Sequence, residues 1–211
     1  MAIKLDLSKA FDRVDWDFLQ RVMHVLGLPW TWVNRVMTCV RTVRYSILVN
    51  GSLTEEFTPS RGLRHGDPLS PFLFLFCAEG LSSMLSNAMQ TRALQGSKVC
   101  RGGPQLSHLF FADDSLLFGT ATEKEALTLV TLLQQYRAVS RQQINLAKSS
   151  IFFSCNTPSE VQVKIKEILN ISQVLAEDKY LGMPLLIGKS KKHLFCLYSG
   201  SYLDKDQGLE E

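Results

Sequence analysis

Leu109-Phe110-Phe111-Ala112-Asp113-Asp114-Ser115-Leu116-Leu117-Phe118 sets two adjacent carboxylates between two apolar arms. Such arms around a polar tip predict a β-hairpin with the acids at or beside its turn. Successive strand residues face opposite sides. One Asp can therefore face a site while its neighbour braces it or approaches from the turn. Carboxylates on a hairpin offer hard oxygen donors, the kind that Mg²⁺ takes. Asp is also a common turn residue, so the stretch decides nothing until its partners are found.

The first partner lies at the other end of the sequence. Ile3, Leu5 and Leu7 alternate with Lys4 and Asp6, a period of two that predicts a strand with Asp6 off its apolar face. Phe11 follows five residues later. Asp15 then caps a predicted helix with Phe18, Leu19, Val22, Met23 and Leu26 on one side and Gly27 at its end. A second helix is expected over 30–43, with Val33, Val36, Met37 and Val40 inward. Arg35, Arg41 and Arg44 fit either a solvated face or phosphate contacts. Asn50-Gly51 marks a hairpin between 45–50 and 53–57.

The loop Pro59 to Pro71 holds Gly62, Gly66, Arg61 and Arg64. Its glycines allow close backbone approach to a ligand, and its arginines can pair with phosphate. Ser70-Pro71 reads as an N-cap and first helical position, opening a helix that runs towards Gln90 and whose N-terminus favours an anion. A polar, Gly-rich surface connection over 91–107 leads to the Asp113-Asp114 hairpin. An amphipathic helix over 123–141 follows, then Ile144 to Ser149 turning into the strand Ile151-Phe152-Phe153. A last helix is expected over 158–169, and then Tyr180-Leu181-Gly182-Met183-Pro184. Helices alternate with hairpins, which predicts an α+β fold: an antiparallel sheet with helices packed on one face.

Composition narrows the function classes without choosing among them. The chain is 45% hydrophobic and 20% charged, which suits a globular core. The net charge of +3 divides into −3 over 197–211 and hence +6 over 1–196, which permits a nucleic-acid partner without requiring one. Five scattered cysteines with no C-x-x-C pair suggest reduced thiols and an intracellular setting, nucleus or cytoplasm. Four isolated histidines argue against zinc. The apolar run Pro71 to Ala78 is too short to span a bilayer, and no membrane partner is expected.

Taken in order, five segments of sequence resemble the palm of a reverse transcriptase, the non-LTR (LINE-type) retrotransposon kind common in plant genomes. They are Lys4-Leu5-Asp6-Leu7-Ser8-Lys9-Ala10-Phe11-Asp12, Arg61 through Pro71, Phe111-Ala112-Asp113-Asp114, Ile144-Asn145 with Lys148-Ser149, and Tyr180 through Pro184. The resemblance covers residues 1–195 and implies a polymerase palm-like fold and RNA-directed DNA polymerase activity. It also implies two Mg²⁺ ions about 3.5–4 Å apart, an RNA template, a DNA primer and deoxynucleoside triphosphates. On this resemblance Asp6 and Asp113 bridge the metals, Asp114 supports them, and the Leu7 carbonyl adds a ligand. Phe11 excludes a 2′-hydroxyl, and Lys148 neutralises the leaving pyrophosphate. Arg61, Arg64, His65 and Gly66 meet the template–nucleotide pair, and Leu181-Gly182 grips the primer end.

Two departures from the family pattern accompany the match. His65 stands where the family usually has Gln, which predicts weakened polymerisation with metal binding retained. The chain also starts abruptly in a strand, as though the family's basic finger segments preceded it. Residues 196–211 form a divergent acidic tail. One permitted codon choice for 198–211, read one base later, encodes IQDRIWTKIKGWK, the basic, Trp-containing type of segment the family carries there. A frameshift is the expectation. Two rival functions stay open at this point: an inactive retroelement remnant, and a non-catalytic RNA-binding module using Arg35, Arg41, Arg44, Arg61 and Arg64.

Overall fold

The computed structural model describes residues 1–98, 102–174, 179–180 and 183–184. Leu181, Gly182 and the acidic tail fall outside the described residues. The chain divides into two units, Met1–Val174 and Leu175–Glu211. In the second, β10 (Lys179–Tyr180) pairs antiparallel with β11 (Met183–Pro184).

The first unit runs β1 (Ala2–Leu5), α1 (Trp16–Val25), α2 (Trp30–Arg41), β2 (Leu48–Val49), β3 (Ser52–Leu53), α3 (Ser70–Gln90), β4 (Ser97–Lys98) and β5 (Gln105–Leu106). It continues with β6 (His108–Phe111), β7 (Asp114–Phe118), α4 (Glu123–Ser140), β8 (Ser150–Phe152), α5 (Ser159–Leu169) and β9 (Gln173–Val174). Five strands form one sheet in the order β6-β7-β1-β8-β9. All its pairings are antiparallel except the edge pair β8-β9, which is parallel. Central β1 joins the hairpin on one side and β8 on the other, with Leu5 opposite Ser115 and Lys4 opposite Ser150.

One face of the sheet is covered by helices. Ile3, Leu5, Leu117 and Ile151 pack with Leu81, Leu85 and Ala88 of α3, Leu129 and Tyr136 of α4, and Ile165 of α5. Burying a side chain of this size contributes about 1.5–3 kcal/mol each. A second core joins Ala10 and Val14 to Leu19, Met23, Val33, Met37 and the first turns of α3. Phe18 packs against both cores. Gly80 makes this possible, because a Cβ there would stand 2.9 Å from the Phe18 ring. A mid-helix glycine costs about 1 kcal/mol; here it lets α1 cross close over α3.

Local chemistry explains the helix ends. Asp15 Oδ1 accepts from the amides of Asp17 and Phe18, capping α1 as its position suggests. Leu26 is exposed at the end of that helix rather than on its inner side. Ser70 is not the cap of α3. It is buried as the first residue of the helix, Leu69 takes the N-cap position without a side-chain cap, and Asp67 Oδ1 accepts from the Leu69 amide at 2.9 Å in the turn before it. Within the 91–107 connection, β4 pairs with β5 and Leu94 is buried, which its polar composition does not suggest. Helix α3, with 21 residues, is long and apolar enough to cross a membrane by length and composition, beyond the eight-residue run visible in the sequence. Its Leu73, Phe74, Cys77, Leu81, Leu85 and Ala88 fill the two cores, which accounts for that character.

Candidate active site

Asp6 follows directly on β1 and is held by the connector between α4 and β8. Its amide donates to Ser149 Oγ at 3.2 Å, and its carbonyl accepts from the Asn145 amide at 2.8 Å. Ser149 is fully buried and its hydroxyl donates in turn to the Asn145 carbonyl at 2.8 Å. The Ser8 amide donates to the Gln143 carbonyl, and Leu7 pairs antiparallel with Ile144. Those two bonds flank Leu7. In an antiparallel ladder that turns its own carbonyl away from the connector.

The hairpin arrives from the other side. Phe111 pairs with Asp114, leaving Ala112 and Asp113 as a two-residue loop. Ala112 sits at φ +50 and Asp113 is exposed, while Asp114 is half-buried at the start of β7. Leu5 opposes Ser115, so the register continued by one residue sets Asp6 level with Asp114, with Asp113 next to it at the tip. The fold thus closes a gap of 107 positions (113 minus 6) in the chain. Among the described residues, no three His, Cys, Asp or Glu side chains are gathered into a metal-binding group. The register thus brings the backbone of Asp6 towards the Asp113-Asp114 tip, and carboxylates there would offer hard oxygen donors.

A tight turn carries Phe11 away from Asp6. The Phe11 ring stacks on Phe74 at 4.8 Å and tilts against His65 at 5.4 Å. Its carbonyl accepts from the Leu63 amide at 2.9 Å, and the Val14 carbonyl accepts from the Gly62 amide at 2.8 Å. Trp16 Nε1 donates to the Gly62 carbonyl at 2.7 Å, and His65 Nε2 lies 3.3 Å from Asp12 Oδ1. The Arg/Gly loop is therefore stitched to the Phe11 turn. The two glycines differ in use. Gly62, at φ +90, abuts the Asp12 backbone, where a Cβ would meet the carbonyl oxygen at 2.8 Å; its close approach is to this chain and not to a ligand. Gly66, at φ +82, opens onto free space.

Arg61 and Arg64 are exposed and make no ion pair among the described residues. Together with Tyr45, Phe57, Val40 and Trp16 they border an open hollow of about 440 Å³. Arg41 is committed to Asp17 at 3.2 Å and Arg44 to Glu56 at 3.3 Å, so two of the five arginines considered for RNA contact are already paired. Lys148 is exposed on the same connector that holds Asp6, with its amide donating to the Asn145 side chain at 3.3 Å. The sequence reading missed two parts of this framework. Ser149, quoted only as a neighbour of Lys148, holds the Asp6 amide. The aromatic base of the β2–β3 hairpin, where the Tyr45 and Phe57 rings stack at 5.9 Å, lines the hollow.

Below the site, Tyr136 OH donates to the Cys77 carbonyl at 3.1 Å, and burial raises the pKa of this phenol. Burial, with Asp15 adding to it, pushes the Cys77 thiol up to about 12. Both groups stay protonated and structural.

A family model for the reverse transcriptase (RNA-dependent DNA polymerase) matches residues 1–185. The chain belongs to this family. A retrovirus-related Pol polyprotein from the type-1 retrotransposable element R2 of Popillia japonica is 30% identical over 82% of this chain and 24% of its own length. The corresponding protein of the R2DM element of Drosophila melanogaster is 34% identical over 54% of this chain and 10% of its own length. An uncharacterised mitochondrial protein of Arabidopsis thaliana is 47% identical over 32% of this chain and 56% of its own length. The chain thus spans between a tenth and about half of these curated relatives. Among solved structures, telomerase from Candida albicans in complex with a fragment of telomeric RNA superposes with a TM-score of 0.56 at 12% identity, over 74% of this chain and 28% of that one. The fold is that of a polymerase palm, and residues 1–185 form a reverse transcriptase domain similar to those of R2 retrotransposable elements. Reverse transcriptases are in general metal-dependent.

Proposed function

We propose that this domain carries out template-directed nucleotidyl transfer inside the cell, in nucleus or cytoplasm, extending a DNA primer on an RNA template with deoxynucleoside triphosphates. The observation that supports the reading is the register in which Leu5, the residue before Asp6, lies opposite Ser115, the residue after Asp114. Asp6 and Asp113 hold two Mg²⁺ ions, with Asp114 supporting and the Leu7 carbonyl as a further oxygen donor. When bound, such ions lower the pKa of the attacking hydroxyl and offset the charge of the leaving pyrophosphate.

The chain's own residues do the rest. Phe11, seated on Phe74, leaves no room for a 2′-hydroxyl and so selects deoxynucleotides. Arg61 and Arg64 supply charge to the template backbone, and the open face at Gly66 admits the template–nucleotide pair. His65, packed against Phe11 and paired to Asp12, stands where the family usually has Gln and reduces the rate without removing metal binding. Lys148 meets the departing pyrophosphate. Leu181-Gly182 grips the primer end.

The test is retention of a deoxynucleoside triphosphate and extension of an oligo(dT) primer on poly(rA), each with and without Mg²⁺, for the chain and for Asp113→Asn. We expect Mg²⁺-dependent retention that Asp113→Asn weakens by about a hundredfold, several kcal/mol being the usual worth of metal-held charge. Nucleotide binding indifferent to both Mg²⁺ and Asp113 would overturn the reading.

A further inference from the structure

Gln142 is the least expected polar residue of the interior. It follows α4 and is 1% exposed. Its Nε2 donates to the Ala10 carbonyl at 2.9 Å, across 132 positions of sequence. Its Oε1 is buried with no partner. An unpaired buried acceptor is destabilising, and a methionine of similar length would fill the same space without that penalty. What methionine lacks is the donor to Ala10. That one bond is the distinctive chemistry of the residue.

Its target is well placed. Ala10 is buried in the second core and immediately precedes Phe11. The turn it sits in starts at Lys9, at φ +51, a conformation that needs outside support in a non-glycine residue. Phe11 is thus fixed from several sides. Phe74 stacks on its ring, Leu63 donates to its carbonyl, and Gln142 holds the peptide that leads into it. The residue is itself anchored from behind, through its backbone. The Gln142 main-chain N–H donates to Ser140 Oγ at 3.2 Å, and Ser140 Oγ donates to the Tyr136 carbonyl at 2.7 Å. The same connector grips Asp6 through Asn145 and Ser149. One segment, 142–149, therefore holds both the metal-side carboxylate and the base of the aromatic ring.

We infer that Gln142 is a positioning residue for sugar selection: its buried amide sets the height of Phe11 over the nucleotide, although it touches no substrate. The inference rests on the proposed role of Phe11. It predicts that loss of the Gln142 donor relaxes discrimination between deoxy- and ribonucleotides while affinity for the deoxynucleotide is kept.

The experiment uses the whole chain with an RNA template annealed to a dideoxy-terminated DNA primer, so that nucleotide binds without turnover. Equilibrium binding of dATP and ATP is measured with Mg²⁺ for the unsubstituted chain, Gln142→Met, Gln142→Asn, Phe11→Val, and Phe11→Val combined with Gln142→Met. Thermal melting checks folding, and Gln142→Asn, shorter by one methylene but still polar, serves if Gln142→Met does not fold. The unsubstituted chain should favour dATP by about tenfold or more. Either Gln142 variant should cut that ratio at least about threefold, with dATP affinity changed less than about twofold. In the Phe11→Val background, Gln142→Met should change nothing further, a non-additivity expected of a residue acting through another. Full discrimination in both Gln142 variants would overturn the inference and leave the proposed function standing. A chain that binds neither nucleotide would overturn the proposed function, and the inference with it.

Discussion

The two carboxylate carriers of the site are built in opposite ways. Asp6 leaves a central strand with its amide and carbonyl both engaged, over a core of Ile3, Leu5 and Ile151. Asp113 stands at the exposed tip of a hairpin whose outer strand, β6, is a sheet edge with Leu109 and Phe111 open to solvent. One carrier is immobilised by buried contacts and the other is fixed chiefly by ladder register. Edge strands with few buried contacts open at lower free energy than central ones. The geometry of the pair therefore depends on how well the tip is held against the anchor.

Truncation should separate the two sides most strongly. Leu5→Ala, beside Asp6, removes a side chain that is 1% exposed and should cost about 2–5 kcal/mol in urea unfolding. Phe111→Ala, beside Asp113, truncates a ring that is 60% exposed and should fall within about 0.5 kcal/mol of the parent. Equal costs would mean that the tip is as deeply anchored as β1, and the contrast would fail.

Ser149→Ala should cost about 1 kcal/mol, since it removes the acceptor of the Asp6 amide and one donor to Asn145. Melting followed alongside Mg²⁺-dependent nucleotide retention would show whether the anchor matters beyond stability. Retention should weaken more than melting alone accounts for. On the tip, Ala112→Gly should act in the opposite direction. Ala112 holds φ +50, where glycine is unstrained, and the change should stabilise by a few tenths to about 1 kcal/mol, net of the entropy glycine adds to the unfolded chain. Destabilisation would show that the Cβ packs usefully at the tip.

What could be read in the sequence divides along the same line. The hairpin, the capped α1, the Asn50-Gly51 turn (φ +49 and +84) and the long α3 all carry local signals, and each is present. The pairing of Asp6 with the tip needed family order as well as local pattern, because sheet register is a long-range property. Gln142 and Ser149 could not be read as site-forming at all. A Gln after a helix and a Ser before a strand are ordinary residues until the fold sets them against Ala10 and Asp6. Ser70 misled because the sequence pattern for an N-cap is also met by a residue one step inside the helix, as Ser70 is here, after the uncapped Leu69.

The smallest expected effect tests how the edge strand is latched. His108, on β6, shares hydrogen bonds with Ser107 Oγ at 2.8 Å and with Ser82 Oγ of α3 at 3.1 Å, and its ring tilts over Phe110. Burial lowers its pKa, and Glu79, one turn earlier on α3, offsets this only in part. In the unfolded chain the imidazole takes a proton near pH 6.5, while in the folded chain it does so only at lower pH. Between those values the unfolded state binds more protons, so acid favours unfolding. Stability should therefore fall as pH drops from about 7 towards 5, and His108→Gln, which keeps a hydrogen-bonding side chain without that titration, should reduce the slope. The ring is only half-buried, so the change is modest. Hydrogen exchange at the β6 amides should show it first, because that edge is where the His108 contact to α3 is spent. An unchanged pH slope in His108→Gln, or loss of protection beginning in β1, would place the weak point elsewhere and remove the asymmetry between tip and anchor.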